Sequence, residues 1–179
     1  MKKVILFMML LNPAIIYACV CDKLEKHDVN ALIKEADFVV IGRAIKNIHH
    51  QPETAQFFDS KNQGSNVLFV VDSIVKGKLQ KDTIFINQYT QGSCTAIFDF
   101  DNQYLIIGNE ISEYKKIDTD SNDMVIPITT IKDGSMKISS KVDFDYKFYQ
   151  SLTDQYNTVS TSDCRTFNVN SQKYESLFK

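Results

Sequence analysis

The 179-residue sequence contains no tryptophan, three prolines, six glycines and three histidines. So little proline and glycine excludes a collagen-like or low-complexity chain, and 44% hydrophobic with 23% charged residues excludes a disordered one. Charge of one sign is lacking too. The formal net charge is −2; without residues 1–18, which hold Lys2 and Lys3, 18 basic residues stand against 22 acidic ones, giving −4. A slightly acidic chain has no electrostatic footprint for a phosphate backbone, so nucleic acid is not expected as a partner. No apolar run approaches the ~20 residues a bilayer-crossing helix needs, so no transmembrane segment is expected.

Patterns that carry chemistry are equally sparse. There is no Ser-His-Asp order, no glycine-rich phosphate loop and no paired-carboxylate context, so an enzyme is the least supported class and no cofactor is expected. Asp118-Thr119-Asp120-Ser121-Asn122-Asp123 begins like an EF-hand loop. Asp123 stands where the sixth position needs Gly and Thr129 where the twelfth needs Glu, so the segment reads as a solvated turn. His49 and His50 are adjacent and would point to opposite faces of extended chain, which suits a surface better than a metal; His27 reads as structural or exposed.

What is present begins at the N-terminus. Residues 1–18 (MKKVILFMMLLNPAIIYA) combine two lysines, an apolar run, a helix-breaking Asn12-Pro13 and a small final residue, the pattern of a secretory signal peptide. Cutting after Ala18 leaves one domain, residues 19–179, that opens with Cys19. All four cysteines (Cys19, Cys21, Cys94, Cys164) lie beyond that cut. An even number in an exported chain argues for two disulfides, and a single Cys-x-Cys with two isolated cysteines lacks zinc-ligand spacing. A Cys19–Cys21 bond would close a very tight ring, so both N-terminal cysteines are expected to reach Cys94 and Cys164, in either combination.

The first mature element is expected to be a helix ending near Asp37: Val29, Leu32, Ile33 and Ala36 form an apolar stripe, and Asp28 can cap its start. Segments 38–45, 66–75, 83–89, 103–108 and 124–131 are rich in β-branched or aromatic residues and read as strands. Residues 49–64 are polar and read as a long loop, while Lys76-Gly77-Lys78 and Lys81-Asp82 mark a tight connection. Strands at near ten-residue spacing after one early helix predict a mainly β fold, a five-stranded OB-fold-like barrel with an N-terminal helix and a short helical tail at 170–179.

Signal peptide, Cys-x-Cys at the cut and the strand pattern together resemble a family. The carrying stretches are CVC at 19–21, EADFVVIGRAI at 35–45, FVVDSIVKGKL at 69–79, GSCTAIFDFDNQYLIIG at 92–108 and STSDCRTF at 160–167. They are similar to the tissue inhibitors of metalloproteinases and the wider netrin-like modules, OB-barrels whose mature chain begins Cys-x-Cys. The MKK start and the richness in Lys, Asn and Ile point to a bacterial member. The resemblance implies the pairings Cys19–Cys94 and Cys21–Cys164, with residues 110–158 left unaligned. It also implies a secreted inhibitor of a zinc metalloendopeptidase: the α-amine and carbonyl of Cys19 chelate the target's zinc, Val20 enters its primary specificity pocket, and Gln91, Gly92, Ser93 and Thr95 form a second contact edge. The metal is the target's, and the inhibitor has none of its own.

The chain departs from the inhibitors in two places. Asp22-Lys23-Leu24 puts a charge pair where they carry apolar and proline residues, and four cysteines match only two bridges of the inhibitory domain, with no separate cysteine-rich subdomain. Two other readings stand beside inhibition. One is a netrin-like extracellular binding module. The other is a membrane-anchored lipoprotein, since Ile16-Tyr17-Ala18-Cys19 loosely matches a lipobox; acylated Cys19 would neither bridge nor chelate.

Overall fold

The computed structural model describes residue 21 and residues 24–48, 60–88, 94–118, 123–129 and 146–178. Its elements are α1 (Lys26–Glu35), β1 (Phe38–Asn47), β2 (Gln63–Gly64), β3 (Val67–Lys76), β4 (Thr83–Asn87), β5 (Phe98–Asp99), β6 (Tyr104–Asp118), β7 (Asp123–Thr129), α2 (Tyr146–Gln155), β8 (Asn157–Ser160), β9 (Thr166–Asn168) and α3 (Gln172–Phe178). The main sheet runs β1-β3-β4-β8-β6, and β6 pairs with β1 from Phe38↔Gly108 to Gly42↔Tyr104, which closes a five-stranded barrel. Pairings within this ring are antiparallel except β4 with β8, which run parallel from Ile84↔Asn157 to Asn87↔Ser160. The fold is mainly β, an OB-fold-like barrel with an N-terminal helix and a short C-terminal one.

Barrel membership differs from the simplest reading of the sequence. The strand expected at 103–108 continues to Asp118, because β6 pairs in succession with β1 and β9, then β8, then β7. The strand expected at 124–131 is β7, which pairs with the far end of β6 outside the ring. The fifth barrel strand is β8, a short, largely polar stretch in which Val159 is the one strongly apolar residue. Its start is held by the β3–β4 connection: the Gln80 N–H donates to Asn157 Oδ1 at 3.0 Å, and the Lys81 ammonium donates to the Gln155 carbonyl.

Three apolar layers follow from this topology. Inside the barrel lie Val40, Ala44, Val67, Phe69, Ile84, Ile86, Ile106 and Val159, topped by Phe98, whose ring meets Phe69 and Tyr104 edge-on at 6.0 and 5.2 Å. Outside, α1 and α3 cover Val39, Leu105, Ile107 and Phe167, while α2 covers Phe85, Ile111 and Tyr114. The helices explain why Ile84-Phe85-Ile86 and Leu105-Ile106-Ile107 are apolar without alternation: both strand faces are buried.

Helix α1 starts two residues before the expected cap. Glu25 takes the cap position, and the Asp28 carboxylate accepts its N–H at 2.9 Å from within the first turn. His27 is exposed, 3.3 Å from Glu25 and 3.0 Å from Asp28. At the other end the Lys76 ammonium donates to the carbonyls of Ile33, Lys34 and Ala36 at 2.6–2.8 Å, satisfying acceptors the helix leaves open. The chain then turns at Gly77, whose φ of 91° favours glycine.

Gly42 sits where β1 meets both β3 and β6, and a Cβ there would overlap the Val70 carbonyl and the Phe69 ring. Gly42→Ala is expected to destabilise the protein by about 1–3 kcal/mol, through displaced backbone at the barrel seam. Urea unfolding checks this, and an unchanged midpoint would show that the seam yields without cost.

Candidate functional site

Because β4 and β8 are parallel neighbours, the chain leaves both at the same rim of the barrel. The segment leaving β8 reaches Cys164 in a 3-10 turn, Asp163–Arg165; the segment leaving β4 reaches Cys94. Cys21 is bonded to Cys164, with Cα atoms 4.9 Å apart across 143 residues of sequence, and is only 3% exposed. The turn that receives it is braced. Thr166 Oγ1 donates to the Ser162 carbonyl at 2.9 Å, the Arg165 N–H donates to the same carbonyl at 2.9 Å, and Thr161 Oγ1 donates to the Ile107 carbonyl on β6 at 3.1 Å. Three residues on from Cys21, Leu24 packs into the cluster under α1 and α3.

Cys94 is also disulfide-bonded, and the segment carrying it is tied at its foot by Gln88. The Gln88 side-chain amide donates to the Ser65 carbonyl at 2.7 Å and to the Ala96 carbonyl at 3.0 Å. Its Oε1 accepts the Ala96 N–H at 2.7 Å, and its own N–H donates to Asn66 Oδ1 at 2.7 Å. The side chain thus reproduces one rung of a β-ladder between the two feet of the loop. Burial at 1% exposure strengthens these bonds and makes their loss costly. Beyond Ala96, β5 pairs with β2, and the Asn47 side-chain amide donates to the Ser60 and Gln63 carbonyls at 2.8 Å each, so the neighbouring connection at this rim is pinned as well.

Of the residues singled out from sequence, Cys19, Val20, Gln91, Gly92 and Ser93 lie outside the described residues, as do the expected signal peptide, His49 and His50. Thr95 is half-buried between Cys94 and the Gln88 rung. Asp118 and Asp123 form the last pair of the β6–β7 ladder, and 119–122 lie outside the description. Among the described residues no group of three or more His, Cys, Asp or Glu is placed to hold a metal, and no helix is long and apolar enough to cross a membrane. Two residues that organise the rim carry no motif. Gln88 shows in sequence only as the second of two polar residues, Asn87 and Gln88, that follow the apolar run Ile84–Ile86. Lys173, whose ammonium donates to the Cys21 carbonyl at 2.9 Å, shows no signal, because its partner lies 152 residues away.

Gln88→Leu keeps the volume and removes the side-chain hydrogen bonds to the Ser65 carbonyl and to both Ala96 backbone groups. It is expected to cost about 2–4 kcal/mol of stability and to raise amide exchange at Ala96. Exchange confined to its wild-type rate would show that the loop foot is held by something other than this side chain.

No family model, no curated protein and no solved structure matches the chain.

Proposed function

We propose that the protein is an exported inhibitor of zinc metalloendopeptidases of the kind its sequence resembles, acting through the α-amine and carbonyl of Cys19. One observation carries this: Cys21, two residues from the expected mature N-terminus, is locked to Cys164 at the barrel rim next to the exit of the Cys94 segment. With Cys21 and Cys164 joined and Cys94 oxidised, Cys19 is the remaining cysteine of the four. A Cys19–Cys94 bond would tie the first residue of the mature chain to the loop whose foot Gln88 fixes. Oxidation of Cys94 also speaks against the lipoprotein reading, in which acylation would consume the Cys19 sulfur.

The chemistry follows from that placement. A catalytic zinc keeps one coordination position for water. An α-amine and the carbonyl of the same residue form a five-membered chelate that takes this position and removes the nucleophile. α-Amines titrate near ~7.7–8, and coordination releases their proton, so neutral pH suffices. Val20 would then enter the pocket beside the zinc, and Gln91, Gly92, Ser93 and Thr95 would line a second edge. Two bridges to a rigid barrel would reduce the freedom lost on docking.

The mature protein is expected to inhibit at least one member of a panel of zinc endopeptidases, and a version with one Ala before Cys19 to inhibit it about 100-fold more weakly or worse, since the amine is displaced from the chelate. Equal inhibition by both forms would refute the chelate. A panel left wholly unaffected would refute inhibition and leave the netrin-like binding module.

A further inference from the structure

Among the described residues Ile45, Ile74, Val75 and Ile97 are the large apolar side chains that stand exposed. Their places in the fold differ. Ile45 and Val75 are extra residues of bulges in the β1–β3 ladder, which skips Ile45 between Ala44↔Phe69 and Lys46↔Leu68, and Val75 between Val40↔Ile74 and Val39↔Lys76. Bulges leave such residues unpaired and supply the curvature that closes a small barrel. Ile74 and Val75 also lie near the end of β3, which runs antiparallel to β4, so they sit at the end of the barrel opposite the rim that carries Cys94. Ile97 is different. It follows Cys94 by three residues at that rim and is 45% exposed.

We infer that Ile97 is a specificity-determining residue of the proposed inhibitor, an apolar anchor that is covered by an apolar patch of the target protease beside its zinc cleft. The main chain is fixed on both sides of it. Gln88 holds the Ala96 N–H at 2.7 Å and the Ala96 carbonyl at 3.0 Å, and Phe98 is fully buried, pairs with Gly64 and packs its ring on Phe69 and Tyr104. Burial alternates from Ala96 to Asp99, with Ala96 and Phe98 inward and Ile97 and Asp99 outward, as in a strand. The Ile97 side chain is therefore presented outward from an already ordered backbone. Covering it removes apolar surface from water without first ordering the chain that carries it. The inference rests on the proposed inhibition, since only that reading brings a protease to this rim.

The test uses the full mature protein with disulfides intact, as wild type, Ile97→Thr, Ile97→Leu and Val75→Thr. Thr keeps the branched shape that suits extended chain and removes apolar surface; Leu keeps the apolar surface; Val75→Thr makes the matching change at the far end of the barrel. Against a zinc endopeptidase that the wild type inhibits, Ile97→Thr is expected to bind about tenfold more weakly, Ile97→Leu to stay close to wild type, and Val75→Thr to be unchanged. Amide exchange at Ala96 should be the same in all four proteins. Full inhibition by Ile97→Thr overturns the anchor and leaves the proposed function standing. A loss shared by Val75→Thr, a loss that Leu fails to avoid, or a loss accompanied by faster exchange at Ala96 also overturns it, because the effect would then not come from apolar contact at residue 97. A wild type that inhibits no zinc endopeptidase removes the proposed function and this anchor with it.

Discussion

The parallel contact between β4 and β8 is the constraint on which the rest of the molecule depends. Parallel neighbours cannot be joined by a hairpin, so nearly seventy residues, including β5, β6, β7 and α2, pass between Asn87 and Asn157 before the pair can form. Once it forms, the ring closes through β6 onto β1, and both strands discharge their chains at one rim. Two segments carrying cysteines thereby leave the barrel at the same end, where Cys164 receives Cys21. Such long-range closure predicts slow folding relative to a helical domain of the same size.

The rim is held by two supports of different kind. The Cys21–Cys164 bond closes a loop spanning most of the chain, and native bridges in small exported domains contribute about 2–5 kcal/mol. Gln88 makes four buried hydrogen bonds at the foot of the Cys94 segment, each worth about 0.5–1.5 kcal/mol net. The two are of comparable size. The Cys94 segment is therefore shaped by the barrel itself, and its own bridge has a preformed seat.

The fold was legible in the sequence to the extent that composition reports burial. Within residues 38–45, 66–75 and 83–89, Phe38, Val39, Val40, Val67, Phe69, Ile84, Phe85 and Ile86 are apolar because helices or the barrel interior cover them, and the segments appear as β1, β3 and β4 with small shifts at their ends; Ile45, Ile74 and Val75 are exposed. β8 was hidden. Its sequence Asn157-Thr158-Val159-Ser160 carries a single strongly apolar residue, and its place in the ring comes from the Gln80 and Lys81 contacts and from the cover of α2. α2 is hidden for the opposite reason: Phe148 and Tyr149 have strand-like propensity, which packing into the cluster of Phe85 and Tyr114 overrides. At the rim, the family resemblance implied the Cys21–Cys164 bridge, whereas Gln88 acts through four hydrogen bonds and Lys173 through one to a residue 152 positions away, and neither leaves a pattern along the chain.

Everything proposed for this rim requires a mature chain that starts at Cys19 with a free α-amine and a sulfur engaged in a bridge. The most direct test is the intact mass of the exported protein, measured before and after reduction and after acetylation of α-amines at a pH that spares lysine. The account predicts a chain of residues 19–179 that gains four hydrogens on reduction and one acetyl group at Cys19. A mass raised by a lipid, or a start at another residue, would contradict it.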